Sequence, residues 1–427
     1  MFKYLIMEKI IFKRFIIEPK TFWAIFLSLG FLILVGFLCS HYMETEGHYV
    51  TGMNNQIVWG LPHIFAVLLI VIASGVLNIA SISSVFDKKL YKPLAPLSAL
   101  LAMAFLISGL AILVLDLGRP DRLIVAMTTY NFKSIFAWNI FLYSGFAAVL
   151  GIYIWTMLDR NVKKFSRPAG IFAFTWRIIL TTGTGSIFGF LISREAYGTA
   201  ILAPLFIIMS LLYGTVVYYL ILKTINNFQK TLVSEEIMQN LRKLTILFLF
   251  ANLYFLILYH VTNLYISKHF EFEKFILLNG GIYTVSFWIG QVLIGLVLPI
   301  YIILNDHAKS EKSLMRATFL ILIGSFVAMY VIIIAGQAYP LKIFTNYEIV
   351  ESSFYDNVVH SYIPSIYEFG LGLGGVALAL IIVLVGITNL DFLPSIIKGH
   401  KKEEDNVPGN NDQEASISQE NPDSISE

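Results

Sequence analysis

Leu113-Val114-Leu115-Asp116-Leu117-Gly118-Arg119-Pro120-Asp121-Arg122 closes one long apolar run, and the next begins near Ile135. Gly118 can adopt the left-handed conformation that ends a helix and Pro120 cannot continue one, so a helix stops here by backbone chemistry alone. The preceding apolar run is long enough to cross a bilayer, which places the membrane boundary at Asp116. A carboxylate in the last helical turn faces the negative end of the helix dipole and calls for a nearby cation such as Arg119 or Arg122. Physics alone leaves two readings of this charged stretch. It is either a helix stop with an interfacial ion pair or a functional group held at membrane depth.

The whole chain has the composition of an integral membrane protein: 427 residues, 57% hydrophobic and 14% charged, with a mean hydropathy of +0.73. About ten segments meet the length criterion of roughly 20 apolar residues. Their approximate limits are 22–42, 59–85, 94–116, 135–157, 168–191, 198–222, 243–266, 282–304, 314–336 and 366–389. The resulting class is all-α and membrane-spanning. A basic arm covers residues 1–21, the transmembrane domain 22–391, and an acidic tail 392–427 that is too polar to bury a core. The arm suits either a short surface helix or a disordered segment.

Orientation follows from the cations. With the N-terminus inside, 22 of the 30 Lys and Arg lie in inner segments and 7 in outer ones, the last being Arg177 within a span. Both termini are then cytoplasmic, an even number of crossings is required, and Asp116 faces outward. The single cysteine, Cys39, excludes a disulfide framework or a cysteine-held cluster, and only His63 and His260 lie clearly within spans. The expected chain holds no haem, metal or iron–sulfur cluster, and it binds lipid rather than nucleic acid.

With this orientation, polar side chains from six spans reach one outer level: His63, Asp116, Asn139, Arg194 with Glu195, His260 with Asn263, and Tyr367 with Glu368. A quinone needs such a place, where hydrogen-bonding groups for its carbonyls meet an apolar slot for its tail. His63 can donate to a quinone oxygen and exchange a proton near neutral pH, or it can be a helix-end histidine bonded to a carbonyl. Asp116 can exchange the quinol proton with Arg119 holding it, or form a structural salt bridge. Asn139 joins them as a candidate ligand. His260 and Asn263 fit a core hydrogen-bonding role or a place on a proton path.

Arg177 lies near mid-membrane and requires a partner, for which Asn252, Gln291 or a hydrated cavity at similar depth are candidates. Thr181, Thr182, Thr184 and Ser186 follow it outward, as a proton path or as hydroxyls joining helices; Glu195 and Glu368 share this pair of readings. Glycines at 183, 185 and 189, and at 370, 372, 374 and 375, suit close helix packing. The outer segment 337–365 is aromatic and mildly acidic, fit for docking a partner or for an interfacial belt.

The DLGRP element after the third span, the helix opening Trp59-Gly60-Leu61-Pro62-His63 and the stretch Thr128-Thr129-Tyr130-Asn131-Phe132-Lys133-Ser134 resemble the NrfD/polysulfide reductase membrane-subunit family, in its ten-helix branch. The likeness is strongest over 55–160 and absent from the tail. The resemblance implies two four-helix bundles, of helices 2–5 and 6–9, with helices 1 and 10 peripheral. It implies a quinone-reactive anchor in the inner membrane of a bacterium. That anchor would exchange electrons, as part of a respiratory oxidoreductase, with a ferredoxin-like iron–sulfur subunit on the outer face and a molybdopterin or multihaem catalytic subunit beyond. Two other functions stand beside it: a secondary transporter with its site at Arg177, and a cytochrome b-like subunit, which two intramembrane histidines suit poorly.

Overall fold

The computed structural model describes residues 11–229, 235–306, 310–340 and 358–395. Most of the acidic tail and residues 341–357, with Tyr347, Tyr355, Glu348, Glu351 and Asp356, fall outside the described residues. Ten helices are long and apolar enough to cross a membrane: Pro19–Glu46, Leu61–Ser84, Lys89–Leu115, Ile135–Leu158, Lys163–Gly189, Leu202–Phe228, Glu235–Tyr265, Ile282–Leu304, Glu311–Ala338 and Ile366–Asn389. We number these spans one to ten. Among the described residues the protein is all-α apart from a short antiparallel pair, Ile11–Lys13 with Leu393–Ser395. That pair gives part of the basic arm a strand conformation. It also sets the two ends of the described chain side by side, as an even number of crossings requires.

The second span lies at the centre, buried over 94% of its most apolar window, whereas the first is buried over 6%. It packs against the third, fifth, sixth, ninth and tenth spans. The fourth lies on the third and fifth, the seventh on the sixth, the eighth on the ninth, and the first on the tenth. Two of these contacts are backbone to backbone. A Cβ placed on Gly75 would overlap the Ser210 carbonyl and lie 2.9 Å from Gly214 Cα, and one on Gly36 would lie 2.9 Å from Gly374 Cα. Small residues are what allow helices without a hydrophobic driving force to approach so closely.

Between the third and fourth spans a short helix, Leu123–Thr128, lies exposed. Between the seventh and eighth, Ser267–Lys274 forms another, and this one buries His269, Phe272 and Glu273. A wide-turn π segment, Ser286–Val297, occupies the middle of the eighth span and carries Gln291.

Candidate functional site around Asp116

The third span ends as its sequence dictates. Asp116 N–H closes the last turn on the Ile112 carbonyl at 3.0 Å, and Gly118 takes the left-handed conformation with φ of 67°. A side chain at Gly118 would also meet His48, whose Cε1 would lie 3.0 Å from its Cβ. The chain therefore turns beneath a histidine. His48 sits in the turn His48–Val50, directly after the first span stops at Gly47.

Two histidines close on the Asp116 carboxylate, whose side chain is only 1% exposed. His63 Nδ1 lies 2.9 Å from Oδ2. His48 Nε2 lies 3.8 Å from Oδ1 and 3.2 Å from the Asp116 carbonyl oxygen. Neither carboxylate oxygen accepts an aligned hydrogen bond, although both imidazoles stand close to the group. Burial opposes ionisation of Asp116, but the two imidazoles outweigh it and keep the carboxyl below its usual range. In return the carboxylate raises the pKa of His48, against the opposing effect of burial. The His63 and His48 side chains remain 24% and 32% exposed. The imidazoles are thus the reachable face of the site, and Asp116 lies behind them.

His63 stands in the first turn of the second span, after Pro62. The backbone there is tied down by a fully buried carboxylate on the tenth span. Glu368 Oε1 accepts from the Tyr362 hydroxyl at 2.6 Å, which in turn accepts from Leu61 N–H at 2.6 Å. Oε2 accepts from Gly52 N–H at 2.8 Å and from Ser365 N–H at 2.7 Å. With every donor accounted for, Glu368 acts as a clamp, capping the tenth span and fixing the start of the second. The Trp59 ring lies beside His63, with centroids 6.2 Å apart and planes at 29°. It also touches Phe136 and Phe188 on the fourth and fifth spans. Gln337 holds Trp59 in place, accepting from its N–H at 3.0 Å and donating to its carbonyl at 3.0 Å.

Of the residues expected in the site, the structure brings together His63 and Asp116, and adds His48. Arg119 is not the holder of Asp116. It is 64% exposed and pairs with Asp121 at 3.0 Å, because the turn at Gly118 and Pro120 carries its side chain out of the bundle. Asn139 donates to the Ile135 carbonyl at 2.9 Å and the Gly183 carbonyl at 3.1 Å, joining the fourth and fifth spans. Arg194 donates to the carbonyls of Gln337 at 3.0 Å and Gln56 at 2.6 Å, while the Glu195 carbonyl accepts from His269.

Arg177 finds its partners on the second span rather than at Asn252 or Gln291. It donates to the Ser74 carbonyl and to Asn78 Oδ1, each at 3.3 Å, and its guanidinium lies 5.1 Å from the Phe174 ring centroid. Thr181 hydrogen-bonds Ser74 across the same contact at 2.5 Å. His260 and Asn263 bond one buried carboxylate, Glu273, at 2.7 and 2.9 Å.

The model of the NrfD polysulphide reductase family matches residues 49–340. The chain belongs to the NrfD family. It is 26% identical, over 90% of its length and 96% of the relative's, to the Hdr-like menaquinol oxidoreductase integral membrane subunit of Archaeoglobus fulgidus. It is 21% identical to a selenate reductase subunit of Mesobacillus selenatarsenatis, covering 85% of this chain and 92% of that one. It is 23% identical to a putative dimethyl sulfoxide reductase membrane subunit of Halobacterium salinarum, covering 85% and 89%. The match spans His63, Asp116, Arg177 and Gln291 of this NrfD-family chain. His48 lies one residue before it.

Proposed function

We propose that this chain is the quinone-reactive membrane subunit of a multi-subunit oxidoreductase, and that His48, His63 and Asp116 form its proton-exchanging site. The observation that carries the reading is a buried carboxylate backed against two part-exposed imidazoles at the end of the second and third spans. Printed names of the relatives, a menaquinol oxidoreductase subunit among them, support the same class.

Oxidation of a quinol to a quinone releases two protons and two electrons. A neutral imidazole at His63 or His48 accepts a hydroxyl proton, and Asp116 stabilises the imidazolium that results, as a buried carboxylate orients and supports a catalytic histidine elsewhere. Trp59, Phe136 and Phe188 offer an apolar flank for the ring. The electrons pass to an iron–sulfur protein on the face where Asp116 lies, which positive-inside counting makes the outer face of the cytoplasmic membrane, with both termini inside. On this reading the electron acceptor belongs to a partner chain. Reduction of quinone runs the same steps backwards. Arg177, already occupied by Ser74 and Asn78, offers no open substrate site of the kind a transporter needs.

Purifying the tagged chain from its native membrane tests this reading. The expected result is a co-purified protein with iron–sulfur paramagnetic signals that menaquinol or ubiquinol reduces in the complex. A partner whose clusters neither quinol reduces, or a chain that purifies alone in mild detergent, would overturn it.

A further inference from the structure

Among the sixth to ninth spans a second set of buried polar groups is unused by the Asp116 site. Glu273, 0% exposed, comes from the short helix Ser267–Lys274 and is held by His260 and Asn263. Below it lies a cavity of ≈ 20 Å³ lined by Tyr259, His260 and Gln291. A second cavity of ≈ 10 Å³ is lined by Tyr213, Asn252, Ser325 and again Gln291. Tyr213 and Asn252 face this second cavity together. Gln291 thus lines both cavities, is 6% exposed, and its Oε1 has no partner among the described residues.

An amide oxygen left unpaired at membrane depth is costly, so it calls for a partner in the space it faces. A buried water needs about 10–15 Å³ and two to four polar neighbours, and both cavities meet those terms. Neither could admit a quinone ring, since small-molecule sites are more than ten times larger, roughly 300–1,000 Å³. The vertical order also fits. His260 lies eight residues beyond Asn252 on the seventh span, about 12 Å at 1.5 Å per residue, and each of the two lines one of the cavities.

We propose that Gln291 holds an internal water in each cavity, and that these waters join the Glu273–His260 pair to Asn252 and Tyr213 as a hydrated half-channel to mid-membrane. Its links are carboxylate, imidazole, water and hydroxyl, the groups through which protons hop. Gln291 and Asn252 orient the waters without exchanging protons themselves. The π segment that carries Gln291 serves this purpose, because the wider turn re-aims one side chain of an otherwise apolar span into the interior.

Radiolytic hydroxyl labelling with mass spectrometry tests the proposal on the full chain in lipid nanodiscs, because bound waters generate radicals that modify side chains bulk solvent does not reach. Tyr213 and Tyr259 are expected to be labelled several-fold more than Tyr218, which is equally buried but lines neither cavity. In Gln291→Leu both should fall to the level of Tyr218, and in Gln291→Asn, which keeps an amide, labelling should be retained at least in part. Equal labelling of all three tyrosines in the unmodified chain would overturn the proposal, and that comparison stands even if Gln291→Leu does not fold. Unchanged labelling in a folded Gln291→Leu chain would overturn it equally.

Discussion

Replacing Asp116 by Asn removes the charge while keeping the shape, and the structure sets what should follow. The carboxylate lies 2.9 Å from His63, and it is the largest cause that raises His48, with Glu368 adding to it. An amide in its place presents no charge to an imidazolium. The 2.9 Å approach closes to a hydrogen bond once the imidazolium forms; such a bond to a charged group contributes about 1.5–3 kcal/mol, and each 1.36 kcal/mol is a factor of ten in rate. If the imidazolium forms in the rate-determining proton transfer, quinol oxidation should slow by about ten- to hundredfold. The assay is stopped-flow reduction of the partner's iron–sulfur clusters by a soluble quinol, in the assembled complex near neutral pH. Arg119→Ala is the control, since its side chain points away with Asp121, and its rate should match the unmodified complex. An assembled Asp116→Asn complex with an unchanged rate would refute the reasoning and leave the stretch as a helix stop.

Three other outcomes follow from named contacts. Because the folded value of His48 is raised, its contribution to stability is complete below the unfolded value of about 6.5 and is lost as pH rises through the folded one. The melting midpoint of the chain should therefore fall across that interval, and scanning fluorimetry of Asp116→Asn should show a weaker dependence. Gly75→Ala forces a methyl group into the backbone of the sixth span at Ser210 and Gly214; destabilisation of at least about 1–3 kcal/mol should appear as a lowered midpoint in the same measurement. Arg177→Met strips Asn78 Oδ1 of its donor and should lower stability by about 1–3 kcal/mol, the cost of one buried unpaired acceptor. An unchanged midpoint would mean that water replaces the guanidinium.

Span number and membrane class were legible because a 20-residue apolar run bounded by charge is a strong signal. The helix stop at Asp116 was equally legible, since Gly118 and Pro120 have few other uses in sequence. Lateral neighbours were not. Depth alone suggested Asn252 and Gln291 for Arg177, but depth does not say which helix stands opposite, and the answer was Asn78. Arg119 was matched to Asp116 by proximity in sequence, whereas the turn between them sends the two side chains opposite ways. His48 escaped notice because it follows a helix end in what reads as a loop; its signal was a glycine-histidine pair directly after the outer end of the first span. Glu273 escaped because Ser-Lys-His-Phe-Glu-Phe-Glu-Lys at 267–274 reads as a solvated connection. In fact every third or fourth residue of it, His269, Phe272 and Glu273, faces inward.

Whether the histidine pair receives the quinone head is tested most directly by binding, free of any partner. The full chain in nanodiscs is titrated with a fluorescent hydroxyquinoline analogue of quinol, and quenching reads occupancy. The account predicts saturable binding to the unmodified chain, retained in Asn139→Ala, whose contacts lie between the fourth and fifth spans. It predicts loss of that binding in the His48→Ala, His63→Ala double variant, with folding confirmed by a cooperative melting transition. Equal affinity in the folded double variant would contradict it.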